Sequence, residues 1–278
     1  MTSTGMDNSA QLDYWNGKAG ENWAAEAERL DAMLAPFIEA VLDAADIKGG
    51  ESVLDVGCGS GALSLAALGA GPVTGVDVSA PMLALARKRA EGQDKVSFVE
   101  ADASSWQADT AFDRLISRYG IMFFADPEAA FVNLHAQMRP GARLAFVCWQ
   151  PLEYNAWALA PLRAALSLTD ERPEPPEPGA PGPFAFEDAA RTTAILEGAG
   201  WKQVSAAPWS GQLQLPGNSV SEAAAFATLM GPTARLIAEL ELDADQVRQT
   251  VEARLGEYAG QDGRVRLDAA AWVVTAEA

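Results

Sequence analysis

The sequence predicts an α/β fold in which a mostly parallel sheet carries helices on both faces. An apolar run at 53–56 is typical of a strand that is buried on both sides of a parallel sheet. Glycine then occupies every second position of 57–61, which allows a sharp turn, and a helical pattern starts at Ala62. Strand-like and helix-like segments alternate from there to Trp149.

A helical segment at 1–48 precedes this core. Its first residues are small and polar, as in a frayed end. The pattern over 12–45 predicts two helices that break near Pro36, because proline removes a helical hydrogen bond. Trp15 and Trp23 are prominent here, and such side chains usually pack a segment onto the body of a protein.

The following segments are predicted from their periodicity and their turn residues. In chain order we expect strand 73–77, helix 81–90, strand 96–102, strand 113–117, helix 127–138, strand 143–149, helix 155–168, helix 187–197, strand 201–207, a mostly helical stretch at 219–258 and a last strand at 264–275. Prolines crowd 169–183, which predicts an exposed connector and not a separate domain. Val247, Val251 and Leu255 recur at helical spacing and predict one buried stripe.

The glycine turn between the first strand and its helix is the arrangement of a nucleotide site. Free N–H groups and the positive end of the helix dipole converge at such a turn. The spacing Gly57-x-Gly59-x-x-Ala62 also fits the dinucleotide fingerprint. An NAD-dependent oxidoreductase is therefore an open alternative at this point.

Three carboxylates accompany this turn. Asp55 lies inside the first strand, Asp77 ends the second at the spacing of a ribose-binding acid, and Asp102 ends the third. With these acids, the sequence resembles the class I S-adenosylmethionine (SAM)-dependent methyltransferases, within the broad bacterial group that acts on small molecules. The stretches that carry the resemblance are 53–61, 76–79 with Met82, 102–103, 112–117 and 138–144.

The resemblance implies a Rossmann-like sheet of seven strands, with an antiparallel last strand inserted beside the sixth. It places a SAM-binding core at 49–150 and the remainder of the core at 151–278. Insertions near 151–186 and 208–262 are expected to form a cap on the substrate side.

The resemblance also implies a set of cofactor-binding residues. These are Trp23, Asp55, Gly57, Cys58, Gly59, Asp77, Val78, Met82, Asp102, Ala103, Ser117 and Arg118. Asp77 is expected to accept the ribose hydroxyls and Asp102 the adenine amine, with Asp55 near the methionine amino group. Arg118 is expected to hold a carboxylate of SAM or of the substrate, although a surface ion pair is the alternative.

No catalytic base is evident. The single histidine, His135, lies in a predicted helix beside its buried stripe and is expected to be structural. Tyr119, Glu153 and Tyr154 are candidates near strand ends. No cluster of metal ligands can be assembled, so we expect no metal.

The favoured function is methyl transfer from SAM to a small organic acceptor, with oxygen as the favoured nucleophile. Trp157, Trp209, Phe226 and Met230 are expected to build an apolar, aromatic acceptor pocket, unless they only pack the cap. A second alternative is a SAM-binding protein without catalysis that serves a partner.

Composition limits the partners. The formal net charge is −18 over 278 residues, which disfavours binding to nucleic acid and to anionic membranes. The two cysteines form no disulfide framework, and no leader or membrane segment is evident, so we expect a cytoplasmic protein. A monomer or a homodimer is expected.

Overall fold

The computed structural model describes residues 8–174 and 177–278. Seven strands form one sheet. They are β1 (Val53–Val56), β2 (Val73–Asp77), β3 (Val96–Glu100), β4 (Phe112–Arg118), β5 (Met138–Trp149), β6 (Lys202–Gln214) and β7 (Arg266–Glu277). Their order across the sheet is β3-β2-β1-β4-β5-β7-β6.

The first five strands are parallel, whereas β7 is antiparallel to both β5 and β6. This arrangement confirms the predicted seven-stranded Rossmann-like fold, including the insertion of the last strand beside the sixth. All four residues of β1 are buried, in agreement with the apolar run that predicts it. Because β1 lies between β2 and β4, the chain order reverses there, and ligands bind at that point in sheets of this kind.

Twelve α-helices surround the sheet in the described part of the chain. They are α1 (Ser9–Asn16), α2 (Lys18–Ala25), α3 (Ala27–Met33), α4 (Ala35–Ala45), α5 (Ala62–Ala67), α6 (Ala80–Arg89), α7 (Pro127–Ala136), α8 (Ala156–Leu166), α9 (Ala189–Gly198), α10 (Val220–Leu229), α11 (Gly231–Glu239) and α12 (Ala244–Leu255). Helix α4 contacts β4, β5 and β7, while α6 contacts β3 and α9 contacts β6.

The N-terminal segment is more broken than its sequence predicts. Four short helices, α1–α4, replace the expected two. Pro36 does mark a boundary, since it lies in the first turn of α4, where the missing N–H costs nothing. The other breaks carry no proline, and α2 packs on α6. The part of the expected frayed end at 1–7 lies outside the described residues.

Strand β6 also differs from its prediction, because it runs to Gln214 and not to Ala207. It is an edge strand that pairs only with β7, so most of its residues are partly or fully exposed and lack an apolar signature. Pro208 is tolerated there because an edge strand leaves some N–H groups unpaired.

Between β6 and β7 the chain forms α10, α11 and α12, which together with α8 we call the cap. Val247, Val251 and Leu255 are fully buried, which confirms the predicted stripe. The proline-rich connector has no regular helix or strand in its described part, and Pro175 and Pro176 lie outside that part. None of the described helices has the length and apolar character that crossing a membrane requires.

Candidate functional site

A cavity of about 210 Å³ opens at the carboxyl ends of β1 to β5. The strand ends contribute Val56, Asp77, Asp102, Arg118 and Trp149. Helices α1–α3 cover one side of it, and the cap covers the other. The site therefore lies where the sheet topology predicts a ligand.

The glycine turn forms the floor of the cavity. Gly57, Gly59 and Gly61 all have positive φ angles, which favour glycine. A Cβ atom on Gly57 would lie 2.4 Å from the Cα of Gly120, and one on Gly59 would lie 2.9 Å from the Cε of Met82. Larger residues are excluded, and the backbone stays open to a ligand.

Asp77 connects this turn to the next helix. One of its carboxylate oxygens accepts from the Gly59 N–H at 2.7 Å, and the other accepts from the Ser79 N–H at 2.8 Å. Burial raises the pKa of Asp77, although these backbone donors lower it in part. Ser79 precedes α6 as expected, but its hydroxyl donates to the carbonyl of Trp15.

Asp55 is buried beneath the turn. Its Oδ2 accepts from the Ser64 hydroxyl at 2.5 Å, and its Oδ1 has no partner among the described residues. Burial raises the pKa of Asp55 to about 7, against the opposing effects of Ser64 and Arg118. A buried carboxylate oxygen without a donor is costly, and a cationic ligand would satisfy it.

Asp102 lines the cavity beyond β3. Its carboxylate accepts from the Ser104 N–H at 2.9 Å and from the Asn8 side-chain amide at 3.0 Å. The first bond is that of a turn-forming aspartate. Because Asn8 precedes α1, the second bond ties the N-terminal segment to this edge of the site. Ala103 lines the cavity beside it.

Arg118 is part of an ion-pair cluster that crosses from β4 to the N-terminal helices. Its guanidinium contacts Asp31 on α3 at 2.6 Å, and Asp31 also contacts Arg89 at 2.7 Å. The pair is half-buried and not on the open surface. One nitrogen of Arg118, Nη1, is buried without a partner among the described residues, so the side chain keeps a free donor.

The remaining predicted cofactor residues lie either in the cavity or below it. Trp23, Cys58, Val78 and Met82 line the cavity. Ser117 does not: it is buried below, where its hydroxyl donates to the Val56 carbonyl at 2.6 Å. The structure therefore brings together all the predicted cofactor residues except Ser117.

Aromatic rings form two walls. Trp15 contacts Trp23 and Phe123 edge-to-face on the side of the N-terminal helices. On the other side Tyr119 stacks on Trp149, with ring centroids 4.2 Å apart, and Trp149 contacts Trp157 at 4.8 Å.

Trp209 does not line the cavity and packs on Phe37, so its expected place in the acceptor pocket is wrong. Its position on the edge strand β6 turns the ring toward α4 instead. Phe226 and Met230 of the cap do line the cavity.

The three candidate bases lie in two different places in the structure. Tyr119 lines the cavity with a left-handed φ of 64°, but burial raises its pKa well above the ordinary tyrosine value, so its hydroxyl stays protonated. Glu153 and Tyr154 line a different, open groove beside β6. His135 lies outside the cavity, edge-to-face against Trp201.

The structure adds residues that the sequence does not single out. Asp31 and Leu30 enter from α3, and Gly231 and Thr233 enter from α11. No local pattern marks them, because each reaches the cavity through the packing of a distant helix.

Comparison with known proteins agrees with this geometry. Residues 53–141 match the family described as methyltransferase domain. A demethylmenaquinone methyltransferase of Thermus thermophilus is 37% identical over 123 residues, which are 42% of this chain and 56% of that protein. The O-methyltransferase rstn1 of Aspergillus nomiae is 31% identical over 141 residues, 48% of this chain and 60% of that protein. The matches thus span little more than half of these relatives.

A solved structure shares the fold over the whole chain. It is phosphoethanolamine N-methyltransferase 2 of Haemonchus contortus in complex with S-adenosyl-L-methionine. The TM-score is 0.54 at 15% identity, and the alignment covers 100% of this chain and 61% of that one. At this identity the likeness concerns the fold.

The residues of the cavity fit SAM. The unpartnered Oδ1 of Asp55 suits the ammonium group of the cofactor, and the open backbone at Gly57 and Gly59 leaves room for it. Asp77 supplies a carboxylate at the end of the second strand, where the ribose of a nucleotide binds in such folds. Residues 53–141 thus match a methyltransferase domain, and the chain has the fold of a solved methyltransferase that binds SAM.

Proposed function

We propose that this protein transfers the methyl group of SAM to a small organic acceptor, with an oxygen atom as the nucleophile. The observation that carries the proposal is the convergence of Asp55, Asp77 and Asp102 around one glycine turn, in a cavity whose opposite wall is apolar and aromatic. An NAD site leaves Asp102 unexplained.

The proposed cofactor residues are those that line the cavity on the side of the turn. They are Trp23, Asp55, Gly57, Cys58, Gly59, Asp77, Val78, Met82, Asp102, Ala103 and Arg118. Ser117 supports them from below by its bond to the carbonyl of Val56. Asp102 can accept a ligand donor beside its bonds from Ser104 and Asn8, because a carboxylate has about four acceptor sites.

When bound, SAM supplies an electrophilic methyl group. The chain contributes alignment and a dry cavity, since the transfer is a displacement that depends on the approach of the nucleophile in line. Trp15, Trp23 and Phe123 close the cofactor side against water. Tyr119 cannot take a proton from the acceptor, because its own hydroxyl stays protonated. The favoured acceptor therefore loses its proton to water or binds already ionised.

Oxygen as the nucleophile is supported by one relative, whose name identifies it as an O-methyltransferase, whereas another is named a phosphoethanolamine N-methyltransferase. The apolar cap wall, with Trp157, Phe226 and Met230, supports a hydrophobic or flat acceptor. A cytoplasmic location is supported by the two free, buried cysteines, and the charge of −18 argues against nucleic acid as a partner.

Calorimetric titration of the protein with SAM, S-adenosylhomocysteine and NADH tests the proposal. We expect both adenosyl ligands to bind and NADH not to bind. Incubation with methyl-labelled SAM and a panel of phenols, carboxylic acids and amines should then label an oxygen acceptor. Binding of NADH alone would establish the oxidoreductase alternative, and adenosyl binding without transfer to any acceptor would favour a non-catalytic SAM-binding protein.

A further inference from the structure

The cap side of the cavity is apolar with one exception. Trp157 of α8, Phe226 of α10 and Met230 between α10 and α11 present hydrophobic surface. Among the described residues that line the cavity from the cap, Thr233 has the only polar side chain. A single polar group in an apolar wall fixes the orientation of a ligand.

Thr233 is 1% exposed, and its hydroxyl makes no hydrogen bond to any described residue. Other threonines of the cap differ. The hydroxyl of Thr228 donates to the Ala224 carbonyl at 3.0 Å, and that of Thr250 donates to the Gln246 carbonyl at 2.9 Å. Thr233 lies in the first turn of α11, where the carbonyl four residues earlier belongs to the preceding helix. Its hydroxyl is therefore free for a ligand.

The start of α11 adds backbone donors at the same place. No side chain caps this helix of nine residues, and Gly231, Pro232 and Thr233 all line the cavity. Proline has no N–H group, but those of Gly231 and Thr233 find no acceptor among the described residues. Gly231 has a φ of 72°, and a Cβ added there would lie 3.9 Å from the Trp157 ring, so this turn adjoins the aromatic wall. Uncapped N–H groups and the helix dipole favour negative charge.

We propose that Gly231 and Thr233 form a subsite that binds an anionic oxygen of the methyl acceptor. The acceptor is accordingly a hydrophobic, flat organic acid, a carboxylic acid or an acidic phenol, that enters as its monoanion with its apolar part against Trp157 and Phe226. This inference rests on the proposed methyltransferase function. A chain with a net charge of −18 repels anions overall, so affinity for one requires local donors of this kind.

The experiment compares an anion with its neutral counterpart. Protein saturated with S-adenosylhomocysteine is titrated with 1-naphthoate and with methyl 1-naphthoate, and in a second arm with 4-nitrophenolate and 4-nitroanisole. We expect at least one anion to bind about 10-fold more tightly than its neutral partner, since a hydrogen bond to a charged group is strong. The two arms distinguish a carboxylate from a phenolate.

Thr233→Val keeps the shape of the side chain and removes the hydroxyl. It should weaken binding of the preferred anion about 10-fold and leave the neutral ligand unchanged. Thr228→Val is the matched control, because its hydroxyl bonds within α10, and it should change neither affinity. Unaltered binding of S-adenosylhomocysteine by both variants establishes that they are folded.

Equal affinity for anion and neutral ligand in both arms with the wild-type protein, or failure of both anions to bind, would overturn the subsite. An anion affinity that is undiminished in Thr233→Val would also overturn it, because the Thr233 hydroxyl would then not contact the anion. Failure of S-adenosylhomocysteine to bind at the outset is a different result, since it contradicts the proposed function itself.

Discussion

Burial raises the pKa of Asp55, whereas the Ser64 hydroxyl and the charge of Arg118 lower it. Its pKa is raised from 3.8 to about 7, so the folded protein binds this proton more tightly than the unfolded chain does. Asp55 therefore contributes stability that is fully present below pH 3.8 and is lost as the pH rises through about 7. A bound ammonium group would favour the ionised carboxylate, so Asp55 would lose its proton in the complex.

We accordingly expect SAM binding to release a proton near neutral pH, and the affinity to rise between about pH 6 and about pH 8. Calorimetry in two buffers of different ionisation enthalpy counts the protons released. Asp55→Asn should abolish the release, whereas Asp126→Asn, which changes a helix N-cap residue outside the cavity, should keep it. An equal proton count in wild type and Asp55→Asn would contradict the role of Asp55.

Asp77 offers a second test at single-residue scale. Asp77→Asn should weaken SAM binding by about 1.5–3 kcal/mol, because a charged acceptor is lost and because an amide cannot accept both the Gly59 and the Ser79 N–H groups with two oxygens. Titration calorimetry measures the effect. The control is Asp188→Asn at the start of α9, outside the cavity, where one carboxylate oxygen accepts from the Ala190 and Arg191 N–H groups. Unchanged affinity would remove Asp77 from the site.

Among the secondary-structure elements, α3 is held to the sheet by Asp31. This carboxylate contacts Arg89 and Arg118, and all three side chains are 13–21% exposed. Removing one partner of such a half-buried cluster leaves charge without compensation. We expect Asp31→Asn to lower the free energy of unfolding by about 1–3 kcal/mol and to weaken SAM binding, because α3 covers the cavity.

Urea denaturation checks this expectation. Asp245→Asn is the comparison, since Asp245 is 85% exposed in its pair with Arg248 on α12. An exposed pair contributes little, so this variant should unfold as the wild type does. Similar losses in the two variants would mean that Asp31 acts only as a surface charge.

The sequence predicts the elements whose signal is local. The buried run of β1, the glycine turn and the acids at 77 and 102 carry their own pattern, and the structure brings them to one cavity. Asp31 is different: its bond to Arg118 joins residues 87 positions apart, so no short window contains both. Thr233 could not be predicted either, because no local pattern distinguishes the start of its helix. It lines the cavity only because the cap folds over the sheet. Edge strand β6 exceeds its predicted length because exposure removes the apolar signal.

The whole molecule contains 38 acidic residues and only 20 basic ones. Such an excess destabilises the compact state by self-repulsion, and salt screens it. We expect the unfolding temperature to rise when NaCl is increased from about 10 mM to about 150 mM, as the Debye length falls from about 30 Å to about 8 Å. Scanning calorimetry at neutral pH measures it. A fall with salt would mean that ion pairs such as Asp31–Arg118 outweigh the repulsion.

The two buried cysteines make the opening of this fold measurable by the rate of thiol modification. Cys58 lies in the glycine turn and Cys148 inside β5, both are buried, and burial raises the pKa of both thiols. A thiol reagent can modify either one only when the surrounding structure opens. Cys58 should report the transient opening of the turn, which a bound cofactor would slow, whereas Cys148 should report the opening of the sheet itself. The modification rates of the two thiols therefore report local opening and global opening separately, without any added label.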